Sequence, residues 1–131
     1  PESVIVSISA DEPGRITSAN SIQENEAIFD IAPASFVDLE PIIMNAGTIL
    51  WNGPLGFFEK ENFFAGTAMI AEMIISSKGF SVAGGGDTIS AAEKAGVLDG
   101  LDYVSTAGGA FLEFMEGKKL PALEALIDKV N

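Results

Sequence analysis

The sequence contains no cysteine and no histidine, one tryptophan, one tyrosine, and only 7 lysines and arginines against 19 aspartates and glutamates. Without cysteine there are no disulfides and no thiolate nucleophile. Without histidine there is no imidazole base or imidazole metal ligand, so triads of the Ser-His-Asp and Cys-His kinds are excluded. The net charge of -12 argues against nucleic acid or an anionic membrane surface as partner. Long apolar runs are also missing, since Met69 to Ile75 is interrupted by Glu72 and falls far short of a bilayer span. No basic-then-apolar leader opens the chain, and a soluble, cytoplasmic protein is the expectation.

What is present suits one α/β unit. At 131 residues and 47% apolar composition the chain can build a single core. The start at Pro1 and a mean hydropathy of +0.32 in so charged a chain suggest a segment of something longer. Apolar surface without its natural cover, open to self-association, would follow.

Val4 to Ile8 is a β-branched strand ended by Asp11-Glu12-Pro13-Gly14, and Arg15 to Glu26 reads as polar loop. Ala27 to Ile31 is a second strand, stopped by Pro33. A helix capped by Ser35 and running through Asn45 would place Phe36, Leu39, Ile42 and Ile43 on one face, with a kink at Pro41. Thr48 to Trp51 reads as a buried strand and Asn62 to Ser77 as a helix, with Phe63, Ile70, Met73 and Ile74 inward. Phe80 to Ala83 is a strand, followed by a helix capped by Asp87 or Thr88 and ended by Gly96. A strand at Tyr103 to Ser105, a helix from Gly109 to Glu116 ended by Gly117, and a last helix from Pro121 with Leu123, Leu126, Ile127 and Val130 on one face complete the chain. Strands alternating with helices predict a parallel sheet with helices on both faces, a Rossmann-like three-layer α/β fold, here as an incomplete domain.

Three glycine-rich turns follow strands in this pattern: Trp51-Asn52-Gly53-Pro54-Leu55-Gly56, Gly84-Gly85-Gly86-Asp87-Thr88 and Ser105-Thr106-Ala107-Gly108-Gly109-Ala110. A helix start carries unpaired N–H groups and a positive dipole end, and glycines let phosphate oxygens approach that backbone. Asp87 could hold Mg²⁺ and Thr88 could reach a phosphate oxygen, or the turn could be merely tight with Asp87 as a cap. Gly108 and Gly109 could offer amides to a transferring phosphoryl group, or only allow close packing of helix on strand. Glu59 could accept from ribose hydroxyls or be a solvated charge, and Phe57, Phe58, Phe63 and Phe64 read as core rather than a stacking platform. Neither Gly-x-x-x-x-Gly-Lys-Ser/Thr nor an opening Gly-x-Gly-x-x-Gly is present.

Taken in order, these motifs, with Phe57-Phe58-Glu59 after the first and Leu112-Glu113 and Glu116-Gly117-Lys118-Lys119-Leu120-Pro121 after the last, closely resemble phosphoglycerate kinase. The resemblance is strong from about Asp30 onward and implies that residues 1–131 are the later part of the C-terminal, nucleotide-binding domain. It further implies a phosphotransferase moving a phosphoryl group between 1,3-bisphosphoglycerate and ADP, giving 3-phosphoglycerate and ATP, in glycolysis. On that likeness Asn52 and Pro54 line the nucleotide site and Glu59 binds ribose. Gly85, Gly86, Asp87 and Thr88 handle the nucleotide phosphates with Mg²⁺ on Asp87, and Gly108 and Gly109 serve the transferring group. Ala32 stands where the family usually has glycine, which calls for φ < 0 there, and Ala107 replaces the first of three glycines. The family's phosphoglycerate-binding N-terminal domain has no counterpart here, and the single arginine, Arg15, cannot rebuild its basic cluster. This segment alone is therefore expected to be inactive. The alternatives are a stand-alone nucleotide- or anion-binding module, or a structural fragment whose sheet pairs with itself or with the missing half.

Overall fold

The computed structural model describes residues 1–127. Strands β1 (Ser3–Ser7), β2 (Arg15–Ser18) and β3 (Ala27–Ile31) form an antiparallel sheet in the order β2-β1-β3. This corrects two expectations: the first strands do not join the parallel sheet, and the stretch from Arg15 is not all loop. Parallel neighbours need a crossover of about a dozen residues or more, usually helical, and no helix lies between β1 and β3. Arg15 closes the arrangement, its guanidinium donating to both oxygens of Glu26 at 2.6 Å each. That pairing ties the start of β2 to the residue before β3.

The β1–β3 ladder slips once. Ile5 faces Asp30 while Val6 faces Ile28, which leaves Phe29 as a bulge. The unpaired Phe29 carbonyl accepts from Phe57 N–H (2.8 Å), and its ring stacks on Phe63 at 4.7 Å between centroids. The chain then passes Ala32, whose φ of -78° matches the negative value expected there.

The single helix expected from Ser35 to Asn45 is two pieces, a 3-10 turn at Pro33–Phe36 and helix α1 (Glu40–Met44). Pro41 lies in the first turn of α1, where its missing N–H costs nothing, so it starts a helix instead of kinking one. Ser35 is not a cap. Its Oγ accepts from Ser3 N–H (2.9 Å) and donates to Ser3 O (2.7 Å), joining the turn to β1. The expected face is divided accordingly, with Phe36 buried and Ile42 exposed.

Strands β4 (Thr48–Trp51), β5 (Phe80–Gly84) and β6 (Tyr103–Ser105) form the expected parallel sheet in the order β4-β5-β6. Helices α2 (Ala65–Ser76) and α3 (Gly86–Ala95) are its crossovers and pack on each other. Trp51 and Ala83 of the sheet meet Ala71 and Ile74 of α2, Ala91 and Ala92 of α3, Phe58 and Val97 in one core. The alanines let both helices approach closely. On the other face Gly84 lies under the Phe111 ring of α4 (Gly109–Met115), so helices flank both faces. That second face is only partly covered, because Leu50, Phe80 and Tyr103 stay exposed. The strand at 48–51, expected to be buried, is fully buried only at Trp51. Helix α5 (Pro121–Ile127) starts at Pro121 as expected, but Leu123, Leu126 and Ile127 are exposed, and Val130 lies outside the described residues.

Asp30 joins the two sheets. It is 0% exposed, and its carboxylate accepts from Ile31 N–H and from Gly66 N–H, both at 2.8 Å. Gly66 is in the first turn of α2, which explains why that helix begins at Ala65 rather than near Asn62: a 3-10 turn at Glu61–Phe63 delivers the chain to the carboxylate. Gly56 and Gly66 approach Asp30 so closely that a Cβ on either would collide with it.

Burial pushes the Asp30 carboxyl above its ordinary value, opposed by the N–H bonds from Gly66 and Ile31. A raised acid pKa means that the folded chain binds this proton more tightly than the unfolded chain, so its contribution is fullest at low pH and declines as pH rises through the folded value. Urea unfolding of Asp30→Asn beside the parent should show the variant gaining stability relative to the parent as pH rises through that range. A slope of the opposite sign would mean that the N–H bonds outweigh burial.

Candidate functional site

Three loops leave the same edge of the parallel sheet. Trp51 is in register with Ala83, and Gly84 with Ser105, so the turns after β4, β5 and β6 emerge side by side at the carboxyl ends of the strands. Open α/β sheets bind their ligands at that edge. The register brings together Asn52, Gly53, Gly85, Thr88 and, one strand further, Gly108 and Gly109.

The loop after β4 is braced along its length. Gly53 N–H donates to Thr88 Oγ1 (2.6 Å), and Leu55 and Gly56 N–H both donate to Thr67 Oγ1 (3.2 and 3.3 Å). Phe57 N–H goes to Phe29 O and Phe58 N–H to Gly56 O, both at 2.8 Å. Pro54 has no N–H, so every amide from Gly53 to Phe58 has an acceptor inside the protein. Trp51 Nε1 adds a bond to Gly53 O (2.9 Å), and Lys94 of α3 holds Phe58 O (2.6 Å) while lying 4.4 Å from the centre of the Phe64 ring. The loop thus offers a ligand its side chains and carbonyls, with its amides already committed.

The turn after β5 has the opposite character. Gly85 precedes α3 with φ +96° and ψ 140°, a conformation that essentially only glycine adopts. Its neighbour Gly86 opens the helix, and an added Cβ there would meet nothing within 4 Å. The first amides of α3 have no intrahelical acceptor and lie at its positive end. Asp87 is exposed in that first turn and is not the cap; the cap position is Gly85. Thr88 is not a cap either, being 1% exposed with its hydroxyl oxygen under Gly53. Asn52 reaches across from β4, its Nδ2 donating to Gly84 O (2.8 Å), and comes near Gly85.

After β6, Gly108 takes φ +57° and Gly109 opens α4, and neither has a neighbour within 4 Å of where a Cβ would stand. Both residues lie at the same sheet edge, at the start of α4, where the first amides of a helix have no intrahelical acceptor. Asp102 holds the approach to β6 by accepting from Ser81 N–H (2.7 Å) and Ser81 Oγ (2.8 Å), and these bonds lower its carboxyl below the usual value. Pro54 is half-buried in the braced loop, and Glu59 is exposed beyond it, outside the hydrogen-bonded cluster. Of the four phenylalanines expected in the core, Phe58 and Phe63 are buried, Phe64 is half-buried beneath Lys94, and Phe57 is exposed.

No group of three or more acidic side chains converges among the described residues. A divalent ion here would rest on the single carboxylate of Asp87 and on ligand oxygens, which fits the way Mg²⁺ is commonly held. Thr67 and Lys94 are the bracing residues that motif reading missed. The signal for Thr67 was its place on the inward stripe Phe63, Thr67, Ile70, Ile74, where a hydroxyl must find partners.

A family model described as phosphoglycerate kinase matches residues 1–118. A phosphoglycerate kinase from Vibrio campbellii is 55% identical over 111 residues, covering 85% of this chain and 29% of the relative. Among solved structures, phosphoglycerate kinase from Coxiella burnetii superposes with a TM-score of 0.88 at 44% identity, over 95% of this chain and 33% of that one. The enzyme from Pyrococcus horikoshii gives 0.82 at 35% identity, over 96% and 31%. The chain spans about a third of the length of the relatives it matches.

Gly85→Ala should lower stability by about 1–3 kcal/mol, since alanine is strained at this φ and ψ. A urea-unfolding midpoint equal to that of the parent would contradict the glycine-only backbone at this turn.

Proposed function

The chain belongs to the phosphoglycerate kinase family, and from that premise we propose that it is the later part of the nucleotide-binding domain, holding Mg²⁺-ADP or Mg²⁺-ATP at the carboxyl edge of β4, β5 and β6. The observation that carries this reading is the strand register, which lines up one braced loop and two open glycine turns. In this reading Asn52 and Pro54 border the nucleotide and Glu59 takes the ribose hydroxyls. Gly85, Gly86 and Asp87 take the phosphates together with the backbone amide of Thr88, whose buried hydroxyl is occupied by Gly53 and not free for a phosphate oxygen, and the Gly108 and Gly109 amides face the phosphoryl group in transfer. Bound Mg²⁺ would neutralise phosphate charge in a chain whose own net charge is -12.

Transfer between 1,3-bisphosphoglycerate and ADP calls for a second face that holds the phosphoglycerate, because such catalysis rests on positioning and charge stabilisation. This chain supplies one face, so it binds nucleotide and does not turn over alone. The partly bare sheet face at Leu50, Phe80 and Tyr103 supports the further reading that the rest of a full-length enzyme covers it. It also favours a second reading, self-association of the isolated chain. Sedimentation at rising concentration should show a growing dimer fraction if that face pairs, and a monomer throughout would exclude pairing.

Calorimetric titration should give saturable binding of Mg²⁺-ADP and much weaker binding of metal-free ADP. Asp87→Ala should weaken the Mg²⁺ complex by roughly tenfold, the scale of one lost charge-assisted contact, and spare free ADP. Equal losses for both ligands would reduce Asp87 to a structural residue of the helix start.

A further inference from the structure

The loop that presents Asn52 and Pro54 has no regular structure of its own, yet two of its amides converge on one buried hydroxyl. Thr67 is 0% exposed, stands in the first turn of α2, and accepts from Leu55 N–H at 3.2 Å and Gly56 N–H at 3.3 Å. Its neighbour Gly66 is fixed by Asp30 of β3 through a 2.8 Å bond, so the helix start that carries Thr67 is itself anchored from the other sheet. Gly56 is pressed against that same carboxylate and against the carbonyl of Phe63, leaving no room for a side chain. We infer that Thr67 is a positioning residue for the nucleotide loop, its hydroxyl oxygen setting the path of residues 53–56 and thereby the place of Asn52 against Gly84 and Gly85. Thr88 does the same from α3 at Gly53, so each crossover helix contributes one buried threonine to the loop.

The inference rests on the nucleotide reading for its functional consequence, but its structural content is independent of any ligand. Valine at position 67 keeps the shape and removes the acceptor, which leaves two part-buried amides without their partner, whereas serine keeps the acceptor. Hydrogen exchange followed by NMR on the whole chain separates the cases. Thr67→Val should speed exchange of the Leu55 and Gly56 amides by roughly tenfold more than that of core amides such as Ala83, as expected for local loss of a hydrogen bond. Emission from Trp51, whose indole is tied to Gly53 O, should shift in the same variant. Thr67→Ser should restore both signals.

In calorimetry Thr67→Val should weaken Mg²⁺-ADP by about fivefold to tenfold, with Thr67→Ser close to the parent. Unchanged exchange at Leu55 and Gly56 in the valine variant would overturn the inference. Absence of nucleotide binding by the parent chain would overturn the functional reading and leave the exchange result to decide Thr67. Should the valine variant not fold, the parent decides alone: strong protection of both amides supports the role, and exchange at free-peptide rates rejects it.

Discussion

A loop can aim side chains at a ligand only when its own path is fixed, and in the turn from Gly53 to Phe58 every backbone amide has an acceptor inside the protein. Its amides are distributed among the hydroxyls of Thr88 and Thr67, the bulged carbonyl of Phe29, and Gly56 O within the loop. The acceptors come from α3, α2 and β3, so the loop holds its path only while both sheets are assembled. The bulge at Phe29 serves the same requirement, since it frees the carbonyl that accepts from Phe57 N–H.

Asp30 is the counterpart of that arrangement on the side of the core. A buried carboxylate is costly, and here two backbone N–H groups offset part of the cost while burial still raises its affinity for a proton. Glycine at positions 56 and 66 is what lets the loop and the helix reach it. The chain accepts this local penalty and gains a fixed start for α2, and with it a fixed position for Thr67. The open turns need the reverse condition. Gly86, Gly108 and Gly109 have empty space beside them, and the helix-start amides near them have no intrahelical acceptor. Braced loop and open turns together divide the edge into a part held in place by its hydrogen bonds and a part whose glycines leave space beside the backbone.

Much of this was legible in the residues. The alternation after Thr48 marked the parallel sheet and its crossovers, and Gly96, Gly117 and Pro121 marked helix ends and starts where the structure has them. The first third of the chain was misread because isolated strand patterns do not state their partners. Val4 to Ile8 and Ala27 to Ile31 fit a parallel sheet as well as a hairpin, and only the lack of a helix between them decides for antiparallel pairing. Ser35 and Pro41 carried cap and kink signals that tertiary contacts overrode. Asp87 and Thr88 both carry the residue types of a helix cap, yet Gly85 occupies the cap position and Thr88 turns inward to the loop. The roles of Asp30 and Lys94 link residues too far apart in sequence for any local pattern to reveal them, whereas Thr67 left one local trace, a hydroxyl on the inward stripe of α2.

Whether the ends of β4, β5 and β6 make one nucleotide site can be read from amide chemical-shift mapping with Mg²⁺-ADP on the isotopically labelled chain. One shared site should give saturable shifts gathered at Asn52, Gly85 to Thr88, and Gly108 to Gly109, with the antiparallel sheet unmoved. Shifts centred on the bare face around Leu50, Phe80 and Tyr103, or none at the turns after β5 and β6, would contradict it.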